Sequence, residues 1–208
     1  MNITDPKINN YILNMIPRRD EVLSEMEKLA KEIDFPIIGP MVGPFLRQLA
    51  LTLEAKSIFE MGSGFGYSAY WFAGGMKHNG MIICTDTSEE NKRKALSNLG
   101  RGGFGSLVDF RVGDACDIIT QFDGPFDIIL NDINKEDYPK AFDLALPRLR
   151  KGGVFVTDNV LRDGKVLHKR PDKATRGVLE FNRQLFNTDG IISSILPIRD
   201  GLGIAVKL

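Results

Sequence analysis

Cysteine is almost missing from this chain: Cys84 and Cys116 are the two among 208 residues. Two thiols make no disulfide framework, so both read as buried groups of a protein in a reducing compartment. Histidine is equally scarce, with His78 and His168 alone, and no Cys/His spacing proposes zinc. Net charge is absent altogether, since 27 basic residues balance 27 acidic ones. That balance gives no support to a nucleic-acid partner, although it leaves room for a local patch. No apolar run approaches the ~20 residues that cross a bilayer, so no membrane association is expected. The opening "MNITDPKINNY" has no basic region followed by an apolar one, which excludes a secretory signal there. A cytoplasmic protein is the expectation. Internal repeats, low-complexity tracts and composition breaks are also lacking, so residues 1–208 are expected to form one domain.

What is present is the material of a core. Hydrophobic residues make up 43% and charged residues 26%, an ordinary globular balance, and a chain this long buries roughly 70% of its extended surface. From about residue 56, short runs rich in β-branched and aromatic residues alternate with helical patterns. The strand candidates lie at 56–61, 80–86, 107–112, 126–132 and 153–158, bounded by Gly, Asp or Asn. Helices are expected at 67–74, 88–99 and 136–149, with Ser88 a plausible N-cap before acidic first-turn residues. This rhythm predicts an α/β fold with a doubly wound, mostly parallel sheet. Two further strands, 191–198 and 202–208, are joined by "RDG" and predict a C-terminal antiparallel hairpin. Residues 1–55 are expected to be an N-terminal helical cap. Its two helical stretches, "RRDEVLSEMEKLAKEI" and "GPFLRQLALTL", are separated by a linker, "DFPIIGP".

Two patterns carry chemistry. In "SIFEMGSGFGYSAYW", Gly62, Gly64 and Gly66 follow a strand and precede a helix, where glycine permits a tight turn and close approach by a ligand. The next strand ends at Asp86, placed to take the hydroxyls of a ribose. A structural turn, a nicotinamide dinucleotide and S-adenosylmethionine all fit that much. The spacing G-x-G-x-G departs from the dinucleotide G-x-G-x-x-G, and an acid at Glu60 suits the ammonium of S-adenosylmethionine better than a pyrophosphate. Asp114 with Ala115 would line an adenine pocket, though Asp114 equally suits a helix N-cap.

The second pattern is a pair of strands that stop on acids, "FDIILNDINKEDY" and "GGVFVTDNV". In a parallel sheet such ends share one rim, where Asp132, Asp158 and Asn159 would offer a hard, oxygen-only set to a divalent cation. Asp and Asn are also common turn residues. Lys135, three positions past Asp132, is placed to act as a general base or to lie solvated at a helix start, where its charge would oppose the dipole.

Together, "FEMGSGFGYSA", "CTDTSEE", "VGDA", "FDIILNDINKEDY", "GGVFVTDNVLRDGKV", "EFN" and "PIRDGLGIAVK" make the chain, from roughly Ile37 to Leu208, resemble the cation-dependent O-methyltransferases. That family includes catechol and caffeoyl-coenzyme A O-methyltransferases. The resemblance implies a seven-stranded Rossmann-like methyltransferase fold, S-adenosylmethionine as cofactor, and a cation, Mg2+ in the first place with Mn2+ or Ca2+ as alternatives. It makes Asp132, Asp158 and Asn159 metal ligands and Lys135 the base. Glu60, Gly62, Gly64, Gly66, Ser68, Asp86, Asp114, Ala115 and Asp132 match cofactor-binding places, and Met41 and Val42 match residues packed over the cofactor. The implied acceptor is a small aromatic vicinal diol and the implied assembly a homodimer. An atypical acceptor, or a non-catalytic protein of the same fold, is the alternative. Two departures stand out: Asn134 replaces a common second acid, and Arg162 a frequent Trp, where an arginine would either meet an anionic substrate or lie solvated. Trp71 has no matched role and reads as packing, and the polar stretch 160–177 reads equally as a loop over the acceptor or as a mobile surface excursion.

Overall fold

A computed structural model of the chain describes residues 3–77 and 79–208; His78 and the first two residues of the N-terminal stretch lie outside them. Seven strands form one sheet in the order β3-β2-β1-β4-β5-β7-β6. Strands β1 (Ser57–Met61), β2 (Met81–Asp86), β3 (Val108–Val112), β4 (Phe126–Asn131) and β5 (Leu149–Thr157) are mutually parallel. The hairpin of β6 (Ile191–Leu196) and β7 (Leu202–Lys207) closes one edge, with β7 antiparallel to β5. The expected doubly wound sheet with its C-terminal hairpin is therefore the observed one.

The strands read as unbroken apolar runs because both of their faces are covered. Ile58, Ile82, Ile128 and Val154 pack into a core with α2 (Glu21–Glu32), α3 (Gly39–Thr52), α4 (Tyr67–Ala73) and α5 (Glu89–Arg101). Their neighbours Phe59, Ile83, Ile129 and Phe155 pack on the other face against α6 (Ala115–Ile119), α7 (Tyr138–Ala145) and α8 (Lys173–Asn187). Trp71 is packing, as expected: a Cβ on Gly43 of α3 would meet its ring at 2.3 Å, so α3 and α4 touch through a glycine. Both cysteines are free and buried. No helix among the described residues is long and apolar enough to cross a membrane.

Several boundaries differ from the sequence reading. The helix expected to reach Leu149 ends at Ala145 and passes into a 3-10 turn over Leu146–Arg148, because Pro147 cannot donate the next helical hydrogen bond. Strand β5 accordingly starts at Leu149, not at Gly153. The presumed linker is shorter, since Gly39 and Pro40 open α3, a first turn being where proline's missing N–H costs nothing. Helix α1 (Pro6–Met15) was not expected; none of its residues is buried. Much of the presumed loop 160–177 is ordered as a 3-10 segment, Arg162–Leu167, and the start of α8. The α8 N-cap, Asp172, accepts from Thr175 N at 2.7 Å, and Val178, Phe181 and Leu185 turn into the core.

Gly177 lets α8 lie directly on the 3-10 turn Lys135–Asp137. A Cβ there would meet Lys135 O at 2.4 Å and Glu136 Cα at 2.8 Å. Overpacking against backbone costs about 1–3 kcal/mol, so Gly177→Ala is expected to lower the thermal midpoint measurably. A variant that melts with the wild type would show that the turn has room to move.

Candidate active site

Strand β1 pairs with β2 on one side and β4 on the other, so the chain's order reverses at the carboxyl ends of β1 and β4. That is where ligands bind in open α/β sheets, and a cleft of about 880 Å³ opens there.

The glycine loop forms one wall. Gly62 has φ +88°, and a Cβ on it would lie 2.5 Å from the Asp132 carbonyl. Glycine is therefore demanded twice, by conformation and by the contact between the ends of β1 and β4. The loop is stitched to β2: Gly62 N donates to Thr85 Oγ1 at 3.3 Å, Ser63 N to Thr85 O at 2.7 Å, and Gly64 N to Asp86 Oδ2 at 3.1 Å. Asp86 Oδ1 also accepts from Ser88 N and Asn91 Nδ2. Its carboxylate thus holds the loop while facing the cleft. Gly66 is different; a Cβ on it would meet Ala95 Cβ at 3.0 Å, so it seats α4 on α5 and does not line the cleft.

Glu60 lies behind this wall, fully buried on β1. Its Oε1 has no hydrogen-bond partner, and the Cys84 thiol donates to Oε2 at 3.7 Å. Burial pushes the carboxyl up to about 7; the hydroxyls of Ser63 and Ser68 and the Cys84 thiol oppose the rise, and the charge of Asp132 adds to it. Both serines line the cleft, which Glu60 itself does not. Asp114 is the N-cap of α6, accepting from Cys116 N and Asp117 N on Oδ1, and with Ala115 it also lines the cleft.

Met41 and Val42 are not brought to the site. Because α3 starts at Gly39, both ride on that helix, and Val42 is buried in the core. Phe35, Pro36, Ile37 and Ile38, just before α3, line the cleft instead. Phe35 presses on the loop, with its ring 2.9 Å from a Cβ built on Gly64 and 4.9 Å from the Phe65 ring. One aromatic and an isoleucine pair around a proline were the available signal, which a linker reading passes over.

Opposite the loop, Lys135 Nζ donates to Asp132 Oδ1 at 2.8 Å and to Ile133 O at 3.3 Å, with the Tyr138 ring centroid 5.1 Å away. Lys135 is neither free nor fully solvated. Asp158 is 2% exposed. Its Oδ1 has no partner, and Oδ2 lies 3.9 Å from Arg199 Nη1. Burial and then the charge of Asp132 push it up to about 7, against Arg199, the Asn159 backbone and Lys135. Asn159 follows at φ +58°, and Tyr138, buried beneath, donates its hydroxyl to Asp158 O at 2.9 Å. Among the described residues no three His, Cys, Asp or Glu side chains assemble into a metal site; this set has two carboxylates, and its third member is an amide. An orphaned buried carboxylate oxygen held beside a second acid is nonetheless what a hard cation relieves, so the residues fit such an ion. Asn134 is exposed on the same rim, and Arg162 and Arg199 complete that end of the cleft.

Comparison with known proteins agrees with this geometry. A family model described as O-methyltransferase matches residues 17–208. A catechol O-methyltransferase of Niastella koreensis is 34% identical over 211 residues, covering 96% of this chain and 96% of that protein. A caffeoyl-CoA O-methyltransferase of Eucalyptus gunnii is 28% identical, covering 95% of this chain and 86% of the other. In three dimensions the O-methyltransferase TomG of Streptomyces achromogenes, involved in tomaymycin synthesis and solved in complex with SAM, superposes with a TM-score of 0.89. Its identity is 30%, over 97% of this chain and 96% of that one.

Proposed function

The chain belongs to the O-methyltransferase family, and from that membership we propose that it methylates one hydroxyl of a vicinal aromatic diol, with a divalent cation held by Asp132, Asp158 and Asn159. The enzyme class is S-adenosylmethionine-dependent O-methyl transfer to a small phenolic molecule. One juxtaposition carries the finer reading: the glycine loop touches the Asp132 backbone, while the Asp132 side chain meets Lys135 and stands beside the orphaned Asp158.

S-adenosylmethionine supplies the methyl carbon as a sulfonium, and a divalent cation, Mg2+ first and Mn2+ or Ca2+ otherwise, supplies Lewis acidity that favours the ionised phenol. The chain's own residues do the rest. Gly62 and Gly64 would let backbone approach the cofactor, Asp86 would take ribose hydroxyls, and Asp114 with Ala115 would border the adenine. Glu60, with Ser63 and Ser68 beside it, would receive the ammonium. Lys135, as the neutral amine, would take the proton from the attacking hydroxyl at Nζ, and Tyr138 holds both Lys135 and the Asp158 backbone in place. The test is methyl transfer to a panel of ortho-diphenols with Mg2+ and again with chelator. Turnover that chelator removes is expected. A cofactor-binding protein that turns over no diphenol in either condition would sink the reading.

Glu60 adds a pH signature. Its folded carboxyl holds a proton up to about 7, against 4.5 for the ordinary group. The stability it contributes is therefore complete below 4.5 and lost as pH rises through 7. An ammonium beside it reverses that preference, so cofactor binding at pH 6 in chelator is expected to release about one proton. Calorimetry in buffers of different ionisation enthalpy reads this. Heats that do not depend on buffer, or a release that survives in Glu60→Gln, would remove Glu60 from the ammonium site.

A further inference from the structure

The segment after β5 and the β6–β7 turn are sewn together at the acceptor end of the cleft. Val160 N donates to Gly201 O at 3.1 Å, Leu161 N to Asp200 O at 2.9 Å, and Asp163 N to the Asp200 carboxylate. Four non-glycine residues with left-handed backbone sit here: Asn159 (φ +58°), Arg162 (+49°), Asp163 (+52°) and Arg199 (+51°). Such conformations persist where the surroundings over-determine them, and they cluster at ligand sites.

That backbone carries two arginines to the cleft, and they are not equivalent. Arg199 is committed: Nη1 donates to Ile37 O at 2.8 Å and lies 3.9 Å from Asp158 Oδ2. Arg162 is 21% exposed, and its Nε is buried without a partner. The carboxylate paired with it, Asp172, is 3.8 Å from Nη2, beyond hydrogen-bond reach, and spends Oδ1 capping α8. Asp200 accepts from the Asp163 backbone, and Glu136 is paired with Lys173. Arg162 lines the same cleft as Asp132, Lys135, Asp158 and Asn159, the reacting end. A buried guanidinium nitrogen without an acceptor is costly unless a ligand brings one.

Resting on the methyl-transfer reading above, we infer that the acceptor carries an anionic group beside its diol and that Arg162 is the residue that selects it. The planar guanidinium fork matches a carboxylate or a phosphate.

Three acceptors with one ortho-diphenol ring decide the matter, bearing a neutral amide, a carboxylate or a phosphate ester. In the wild type, kcat/KM for one anionic acceptor is expected to exceed that for the amide by about tenfold or more, and whichever anion gains more identifies the source. In Arg162→Gln the ratio falls toward one, through KM more than kcat, and Arg162→Lys restores part of it. The ratio is insensitive to the fraction of folded enzyme, which a purely structural role would change. A wild-type ratio near one, or an unchanged ratio in Arg162→Gln, overturns the inference. Should no diphenol be methylated, the methyl-transfer reading fails separately. Calorimetric titration of the same three compounds into protein loaded with S-adenosylhomocysteine and Mg2+ then tests Arg162: anion-selective binding lost in Arg162→Gln supports the assignment, and equal binding of all three overturns it.

Discussion

Asp158→Asn is expected to lower kcat/KM by at least about 100-fold, the scale at which even the supporting groups of a metal site act, without destabilising the fold. The two halves of this result have one cause. Asp158 is 2% exposed, with an unpartnered oxygen, and burial beside Asp132 pushes its carboxyl up to about 7. In chelator near pH 8 the folded protein therefore carries a charge that its surroundings disfavour. The raised value means the group's contribution to stability is complete below its ordinary pKa of 3.8 and lost as pH rises through 7. An isosteric amide removes the charge, so the variant melts no lower than the wild type under those conditions. Added Mg2+, expected to raise the wild-type midpoint by mass action, leaves that of the variant where it was. Thermal scans with and without Mg2+ check this. A variant that keeps both its Mg2+ shift and its turnover would take Asp158 out of the cation site.

The second large effect is expected at Lys135. General-base catalysis contributes typically 10²–10⁴-fold, so Lys135→Met is expected to lose about that factor in kcat while cofactor affinity stays within a few-fold. Methionine keeps the apolar stem over the Tyr138 ring, 5.1 Å from Nζ, and so separates chemistry from packing. It also leaves Asp132 without its 2.8 Å partner. Equilibrium binding of S-adenosylhomocysteine and Mg2+ is therefore measured on the same variant. A fall in kcat with ion binding retained assigns the loss to proton transfer. Turnover within a few-fold of wild type would return Lys135 to the role of a structural ion pair.

The family resemblance, the strands and the acid pair were all legible for related reasons. Central parallel strands are buried on both faces, so Phe59 and Ile58 are both apolar although they point into different cores, and the run stands out in the sequence. Parallel strands also place their carboxyl ends on one rim, which is why the sequence alone puts Asp132 and Asp158 together. Gly62 was legible as a turn. Its contact with the Asp132 carbonyl was not, because nothing local records which strand lies beside β1. The same limit hid Phe35 and Ile38, which look like a linker until the chain folds them over the glycine loop. It hid α8 as well, whose apolar residues sit among charges.

By itself, then, the sequence determined the layered α/β architecture, the glycine loop after β1 and the acids at the ends of β4 and β5. These follow from periodicity, glycine conformation and the chemistry of Asp and Asn, all properties of short segments. Only the tertiary structure decided that Met41 and Val42 do not line the cleft, that Glu60 is fully buried, and that Arg162 reaches the cleft with its Nε unpartnered while Arg199 is held by Ile37. Those outcomes depend on contacts between segments far apart in the chain, such as Leu161 with Asp200 and Arg199 with Ile37. Burial, and with it every shifted pKa, exists only once such contacts have formed.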